Sequence, residues 1–506
     1  MLKTESYKKA VVYSTGLNIV AKGIQFLNIL IIAYFFGTSI STDIFFLILS
    51  VSVLITTSMI NSIDATILIP EAMKQRERNG EEASRQFLNF FGLLYVLVGS
   101  VILLFIVIFP ALFYDGFSKF PSSTLREKQN LLYAGGVLIF FQLNNNFLGA
   151  VLSSYKYFSL TVFTGLLTSL FSILATVLFH KQLGIEGTLT AVAVSYFINF
   201  LFLLGVMKFK LKWQFTGVKI VKDKHIWGNI GLMQLNLLPV WLRNYVTIFL
   251  LSGLGIGVLS SVNLAQQAAA IIDTLIIAQV LAVAGIKFNE LHARLDFVAL
   301  NELFIRIANY LILFLVPIVV VTFFYSTEIT SLIFKRGNMK SDSVENVALC
   351  LKYLILVSPL LLLNSICTRI FSSAQVIRQG LVYSLIAHFI FLALTIVFIN
   401  WLQLRGFLYS MLIGYTVLIL LFYRLFKIKL KQIEFDKVLL FLLKQAVINF
   451  AVALPVFLIL WNFTDINYII TLCIGGFIQV IAIILLNKKY LQFSRIKDLL
   501  YGFRNK

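Results

Sequence analysis

The chain has 506 residues, of which 59% are hydrophobic and only 13% are charged, and its mean hydropathy is +0.93. Soluble domains contain about 25% charged residues, so this composition excludes a soluble globular protein and predicts a polytopic membrane protein. The net charge of +20 would suggest nucleic acid as the partner of a soluble chain. Here the basic residues fall between apolar segments, so the expected partner is the anionic surface of a membrane, and no nucleic acid.

Apolar segments long enough to cross a bilayer, which takes about 20 residues, recur along the whole chain. We predict an all-α fold of about fourteen transmembrane helices. The loops between them are short, with the longest around residues 208–228, and this leaves no room for an extramembrane catalytic domain. The predicted spans centre near residues 24, 57, 100, 142, 169, 196, 240, 270, 314, 357, 390, 416, 452 and 477.

Lysine and arginine alternate from loop to loop in a way that predicts orientation. With the N-terminus inside, the cytoplasmic segments hold 30 of the 42 basic residues, the outside loops hold 8 and the spans hold 4. Basic residues concentrate on the cytoplasmic side of membrane proteins. Both termini are therefore predicted to be cytoplasmic.

The first two spans, joined by the short turn 37–43, carry aligned polar stripes. On a helix, side chains spaced by three or four residues share one face. A polar or charged face turned to lipid costs several kcal/mol, so the two stripes should face each other or a watery cavity. The members of these stripes are Asn18, Lys22, Gln25 and Asn28 in the first span, with Thr57, Asn61 and Asp64 in the second. We interpret this hairpin as one wall of a transport path.

Three further spans contribute candidates for the same cavity. The fourth carries Asn145 within a run of three amides, and the seventh carries Arg243 near mid-span. The eighth carries a stripe with helical spacing, made of Asn263, Gln266, Gln267 and Asp273. The amides could instead join helix to helix.

The charged candidates each allow a second interpretation. Arg243 either pairs with Asp273 or meets an anionic substrate, and Lys22 either contacts the anion or forms a buried ion pair. Asp43, at the outer membrane edge, either lines the cavity or serves as an interfacial anchor or helix cap. Asp64 could bind a coupling ion, take part in gating or simply lie at the membrane interface.

A faint internal repeat relates residues 31–37 to residues 247–253, because both are followed by a short turn and a new helix. The offset of 216 residues equals six spans, and an even number of spans gives parallel repeats. Secondary transporters commonly place the substrate between two such lobes. We predict an N-terminal lobe (1–215), a C-terminal lobe (216–436) and an extra helix pair with a cytoplasmic tail (437–506), working as a monomer.

Motifs of enzymes and cofactor sites are not evident in the sequence. The four histidines, His180, His225, His292 and His388, lie in different regions without metal-ligand spacing. The glycines at 253, 255 and 257 lack the strand and helix of a nucleotide loop. We predict no enzyme and no cofactor, with Na⁺ or H⁺ as a possible coupling ion.

Three short stretches resemble the MviN-like lipid II flippase family of the multidrug/oligosaccharidyl-lipid/polysaccharide exporter superfamily. They are residues 33–46, residues 69–71 and the outside-loop motif at 332–337. The resemblance implies alternating access of two lobes around a cationic cavity in the bacterial inner membrane. That cavity would take the diphosphate and sugars of an undecaprenyl-linked precursor, and the extra helix pair would provide a groove for the lipid tail.

Where the family usually carries arginines, this chain approximately aligns Lys22, Asn28, Thr56 and Gln267, so only Lys22 keeps the charge. A capsule, O-antigen or exopolysaccharide precursor therefore fits the sequence as well as lipid II does. The alternative within transport is a cation-coupled exporter of small molecules such as drugs, with Asp43, Asp64 or Asp273 as the ion site. A polytopic envelope enzyme or a scaffold fits less well, because the outer loops are short and charges lie at mid-span.

Overall fold

The structure is a computed structural model, and it describes residues 7–57, 63–215, 217–272, 277–374, 376–461 and 468–487. Over these ranges every regular element is a helix, which confirms the all-α prediction for this part of the chain. Two predicted cavity residues, Asn61 and Asp273, lie outside the described residues.

The helices over these ranges follow one another with short connections. They are α1 Tyr7–Phe36, α2 Ile40–Thr56, α3 Ile69–Ile108, α4 Pro110–Asp115, α5 Ser122–Glu127, α6 Gln129–Ser154, α7 Phe158–Lys210, α8 Lys224–Leu251, α9 Val258–Ile272, α10 Ala278–Ala293, α11 Phe297–Phe324, α12 Ser326–Phe334, α13 Ser341–Leu354, α14 Ser358–Ser373, α15 Ile377–Lys429, α16 Phe435–Trp461 and α17 Tyr468–Leu486. A π-helical turn, Asp64–Leu68, leads into α3.

In the described part of the chain, eight helices are long and apolar enough to cross a membrane. Two of them, α7 and α15, have 53 residues each. At 1.5 Å per residue that is about 80 Å, enough for two crossings of a core about 30 Å thick. Each is interrupted once by a left-handed residue, Gly184 (φ 56°) in α7 and Gln403 (φ 53°) in α15. The count of fourteen spans stays a prediction. Twelve of its centres lie inside these helices, residue 57 directly follows α2, and residue 357 ends a short 3₁₀ turn between α13 and α14.

The order of elements supports the predicted parallel repeat. The two broken helices begin at Phe158 and Ile377, 219 residues apart, close to the 216 inferred from the sequence. The hairpin of α1 and α2 also recurs as α8 and α9. A repeat of this kind explains how one chain can supply both halves of a transport path.

The chain divides into two compact units. The first contains Met1–Ile271, Arg336–Ser343 and Leu385–Ser410, and the second contains Ile272–Lys335, Val344–Ser384 and Met411–Lys506. The boundaries predicted at 215/216 and 436/437 stay predictions.

Aromatic packing between α3 and α6 forms part of the core of the first unit. Within α3 the buried rings of Phe87 and Phe91 have centroids 5.1 Å apart, and across to α6 the ring of Tyr95 lies 4.9 Å from that of Phe147. Burial of large apolar side chains in this way holds helices at fixed separations. It also directs the Tyr95 hydroxyl toward Asp64, at 3.0 Å.

A charged cluster ties the start of α3 to the turn between α6 and α7. The Glu81 carboxylate accepts a hydrogen bond from the Tyr155 hydroxyl at 2.5 Å and pairs with Arg76 at 3.2 Å and with Arg85 at 3.5 Å. The Arg76 guanidinium also lies 3.9 Å from the centre of the Tyr155 ring. Burial, followed by the hydrogen bond to Glu81, raises the pKa of Tyr155. The hydroxyl therefore stays a donor to Glu81 at neutral pH.

In the second unit, α16 and α17 are joined by buried amides. The Gln479 side chain donates from Nε2 to Asn449 Oδ1 at 2.7 Å, and Gln445 Nε2 donates to Asn487 Oδ1 at 2.7 Å. All four residues are at most 3% exposed. Each such interhelical bond contributes about 0.6–1.7 kcal/mol within a membrane.

Replacing Asn449 with alanine should destabilise this helix pair. The buried Gln479 amide would lose its short bond to Asn449 Oδ1 and keep only the longer bond to the carbonyl oxygen of residue 449, at 3.3 Å. Loss of a buried hydrogen bond of this kind costs about 1 kcal/mol. We expect a lower melting temperature of the purified protein in detergent. Val447→Ala, at a position 68% exposed on the same helix, is the matched control and should change stability little. Equal melting temperatures for the two variants would show that the amide bond does not stabilise the pair.

Candidate functional site

A cavity of about 420 Å³ lies between α2, α8 and α9 in the first unit. The predicted stripe of α9 lines it, with Asn263, Gln266 and Gln267 on one face. The spacing of these amides by three and four residues is what places them together. From α8, Asn244 and Trp241 complete a wall that is partly polar and partly aromatic.

A second cavity of about 340 Å³ is lined by α1, α2, α6 and α7. It contains the predicted residues Gln25 and Asn28, and Gln267 lines it as well as the first cavity. Asn28 Oδ1 accepts a hydrogen bond from Ser172 at 2.9 Å. The two cavities therefore adjoin at Gln267 and along α2.

A third cavity, of about 360 Å³, contains the predicted residues Asp64 and Asn145. Its opposite wall is a row of hydroxyls on α7, Thr161, Thr164 and Thr168. Thr168 also lines the second cavity. Polar side chains thus line three adjoining cavities within the first unit.

Neither predicted cation, Lys22 nor Arg243, lines these three cavities, but each is hydrogen-bonded to a residue that does. Lys22 has an exposed side chain, and its Nζ donates to Gln25 Oε1 at 2.9 Å. Arg243 is half-buried, donates from Nη2 to Asn244 Oδ1 at 3.0 Å, and places Cζ 4.5 Å from the centre of the Phe391 ring. Its Nη1 is buried and has no acceptor among the described residues. A guanidinium with a spare buried donor is suited to bind a carboxylate or phosphate.

Asp43 does not line these cavities, contrary to the prediction. Its carboxylate is fully buried and accepts from the backbone N–H groups of Gly257, at 2.5 Å, and Ser260, at 2.8 Å. These N–H groups begin α9, where unpaired donors and the helix dipole attract a negative charge. Capping was the stated alternative, but the capped helix is α9 and not the helix that carries Asp43. The partners lie more than 200 residues away, so local spacing could not reveal them.

The sequence reasoning missed the hydroxyl row of α7. Thr161, Thr164 and Thr168 follow the helical spacing that identified the amide stripes, so the same test would have found them. Two asparagines of the amide run in α6 have different partners. Asn144 donates to Phe140 O of its own helix at 2.8 Å, whereas Asn145 donates to Tyr196 O of α7 at 2.8 Å and lines the third cavity.

The family model described as lipid II flippase MurJ matches residues 32–479, which is most of the chain. The chain belongs to the lipid II flippase MurJ family. This confirms the family resemblance inferred from residues 33–46, 69–71 and 332–337, and it makes the chain a multi-pass membrane transporter.

Comparison with individual proteins agrees with this family. The chain is 21% identical over 448 residues to a probable lipid II flippase MurJ of Borreliella burgdorferi, covering 84% of each protein. A solved structure of lipid II flippase MurJ in an inward closed conformation has a TM-score of 0.77 at 14% identity, over 95% of this chain and 100% of that one. An inward-facing MATE family multidrug resistance transporter of the MOP superfamily has a TM-score of 0.57 at 14% identity, over 84% and 94%.

Proposed function

We propose that this protein flips a polyprenyl-diphosphate-linked saccharide across the bacterial inner membrane by alternating access, with lipid II as the first substrate to test. Membership of the MurJ family supports the transport class. The observation that supports an anionic substrate is that the Nη1 atom of Arg243 is buried and has no acceptor among the described residues. A diphosphate entering a low-dielectric cavity needs a positive partner, and an arginine fork can supply two parallel hydrogen bonds.

The cavities also suit the saccharide. Sugar hydroxyls both donate and accept hydrogen bonds, and so do amide and hydroxyl side chains. Residues of these types line the cavities next to the two cations, among them Gln25, Asn244, Gln266 and Gln267. In this proposal the diphosphate lies toward Lys22 and Arg243 and the sugars contact the amides.

The loop charges support an orientation with both termini in the cytoplasm. Thirty basic residues on one side against eight on the other follow the distribution found in inner-membrane proteins. The repeat in the order of elements supplies two lobes from one chain, which supports a working monomer.

A small-molecule exporter is the second candidate function. It is favoured by the similarity to the MATE transporter, but the TM-score of 0.57 is lower than the 0.77 to the MurJ structure. Drug efflux that depends on a cation gradient, with normal saccharide export in a null strain, would favour this second function.

Removing both cations tests the proposal. We expect cells that carry Lys22→Ala with Arg243→Ala to accumulate lipid-linked precursor in the inner leaflet and to lose export more than tenfold, because the diphosphate loses its charged contacts. The measurement is the fraction of precursor accessible from outside, at equal protein level. Lys208→Ala with Lys210→Ala removes the same charge from exposed positions and should export normally. Normal export by the Lys22/Arg243 variant would rule out this mechanism.

A further inference from the structure

Asp64 has a carboxylate oxygen without a partner in the third cavity. The residue is only 2% exposed, and its Oδ1 accepts from the Tyr95 hydroxyl at 3.0 Å. Its Oδ2 is buried and has no hydrogen-bond partner among the described residues. Asp64 also begins the π-helical turn Asp64–Leu68, a local distortion that is frequent at functional sites. A buried carboxylate with a free oxygen needs a positive ligand or a proton.

Asn145 lines the same cavity and has a second unpartnered oxygen. Its Nδ2 donates to the Tyr196 carbonyl at 2.8 Å. This bond sets the orientation of the amide, because a flipped amide would place two acceptors against each other. The Oδ1 atom is then buried and has no partner among the described residues. The unpartnered atoms of both residues are therefore acceptors, and one of them belongs to a carboxyl group, which is negatively charged when ionised.

The rest of the lining is rich in oxygen and carries no positive charge. Thr164 and Thr168 donate their hydroxyl protons to backbone carbonyls of α7, at 2.9 and 3.1 Å. Thr168 Oγ1 also accepts from Asn199 Nδ2 at 3.0 Å, and each hydroxyl oxygen can accept up to two hydrogen bonds. No lysine or arginine lines this cavity among the described residues. Oxygen donors alone favour a hard cation, and a single carboxylate balances a single positive charge.

We propose that this cavity binds Na⁺, with Asp64 Oδ2 and Asn145 Oδ1 as ligands and threonine hydroxyls of α7 completing the shell. The proposal that Na⁺ binds is argued from these atoms alone, whereas the use of Na⁺ binding to drive transport rests on the proposed function. The ion would join the start of α3 to α6 and α7 within the first unit. A proton would satisfy Asp64 alone, and the experiment separates it from Na⁺.

The test uses the purified full-length protein in detergent without substrate, so it does not depend on transport. Na⁺ is titrated against choline at constant ionic strength, and the melting temperature and intrinsic fluorescence give an apparent affinity. We expect Na⁺ to raise the melting temperature, and Asp64→Asn to weaken the affinity at least tenfold. Asn145→Ala should weaken it in the same direction, and it keeps the fold testable if Asp64→Asn is unstable.

Asn144→Ala is the matched control, because its side chain bonds to its own helix and does not line the cavity. It should keep the wild-type Na⁺ response. A Na⁺ response equal to that of choline, or one unchanged in both cavity variants, would overturn the site. A response to pH without any response to Na⁺ would also overturn it, in favour of protonation. Na⁺ binding together with normal export by the Lys22/Arg243 variant would leave this site intact and remove the proposed function.

Discussion

Asp43→Ala is expected to lower the stability of the protein and to reduce its transport activity. The substitution would leave the buried N–H groups of Gly257 and Ser260 without an acceptor. Each buried unpaired donor costs about 1–3 kcal/mol, so the combined loss for the two should be about 2–6 kcal/mol. The lost attraction between the carboxylate and the N-terminus of α9 acts in the same direction. The measurement is thermal unfolding in detergent, together with precursor export in cells.

Two comparisons make this prediction specific. Asp43→Asn keeps one oxygen as an acceptor and should fall between the wild type and Asp43→Ala. Asp223→Ala removes an exposed cap, which accepts from His225 N at 2.8 Å at the start of α8, and should cost only about 0.5–2 kcal/mol. If Asp43→Ala costs no more than Asp223→Ala, the buried cap is not the stabilising contact described above.

Gly337→Ala should be the more disruptive of two glycine substitutions. Gly337 adopts φ +61°, in the left-handed region, and an added Cβ would overlap the carbonyl oxygen of Tyr34. That same carbonyl accepts from Asn338 N at 2.8 Å and so helps to end α1. The backbone strain alone costs about 1–3 kcal/mol, and the overlap adds to it by displacing the Asn338 contact. We expect a clear fall in melting temperature and in the yield of folded protein.

Gly205→Ala provides a control of opposite sign. Gly205 lies inside α7, and an added Cβ would meet nothing within 4 Å. Alanine in a helix interior is favoured over glycine by about 1 kcal/mol, so this variant should be as stable as the wild type or more stable. Similar behaviour of the two variants would contradict the contact between the turn at Gly337 and the end of α1.

The amide stripes show which cavity-lining residues could be predicted from the helical periodicity of the sequence. Asn263, Gln266 and Gln267 line one cavity and Gln25 and Asn28 line another, as the helical spacing predicted. Their role in binding substrate stays a prediction. The spacing succeeded because helix formation is local, so one face of a helix can be read from its own residues. Helical spacing gave no information on Asp43, because the backbone groups that it contacts belong to a different helix hairpin.

The sequence by itself determined the class of this protein: apolar segments long enough for a bilayer, short loops, an asymmetry of basic residues, and motifs of the MurJ family. These features depend on composition and on neighbours within one helix. Only the tertiary structure decided which buried polar atoms have partners. Asp43 is fully satisfied, while Asp64 Oδ2, Asn145 Oδ1 and Arg243 Nη1 are not, among the described residues. Hydrogen-bond satisfaction is set by atoms that folding brings together from distant parts of the chain, and the unsatisfied atoms are where a ligand can bind.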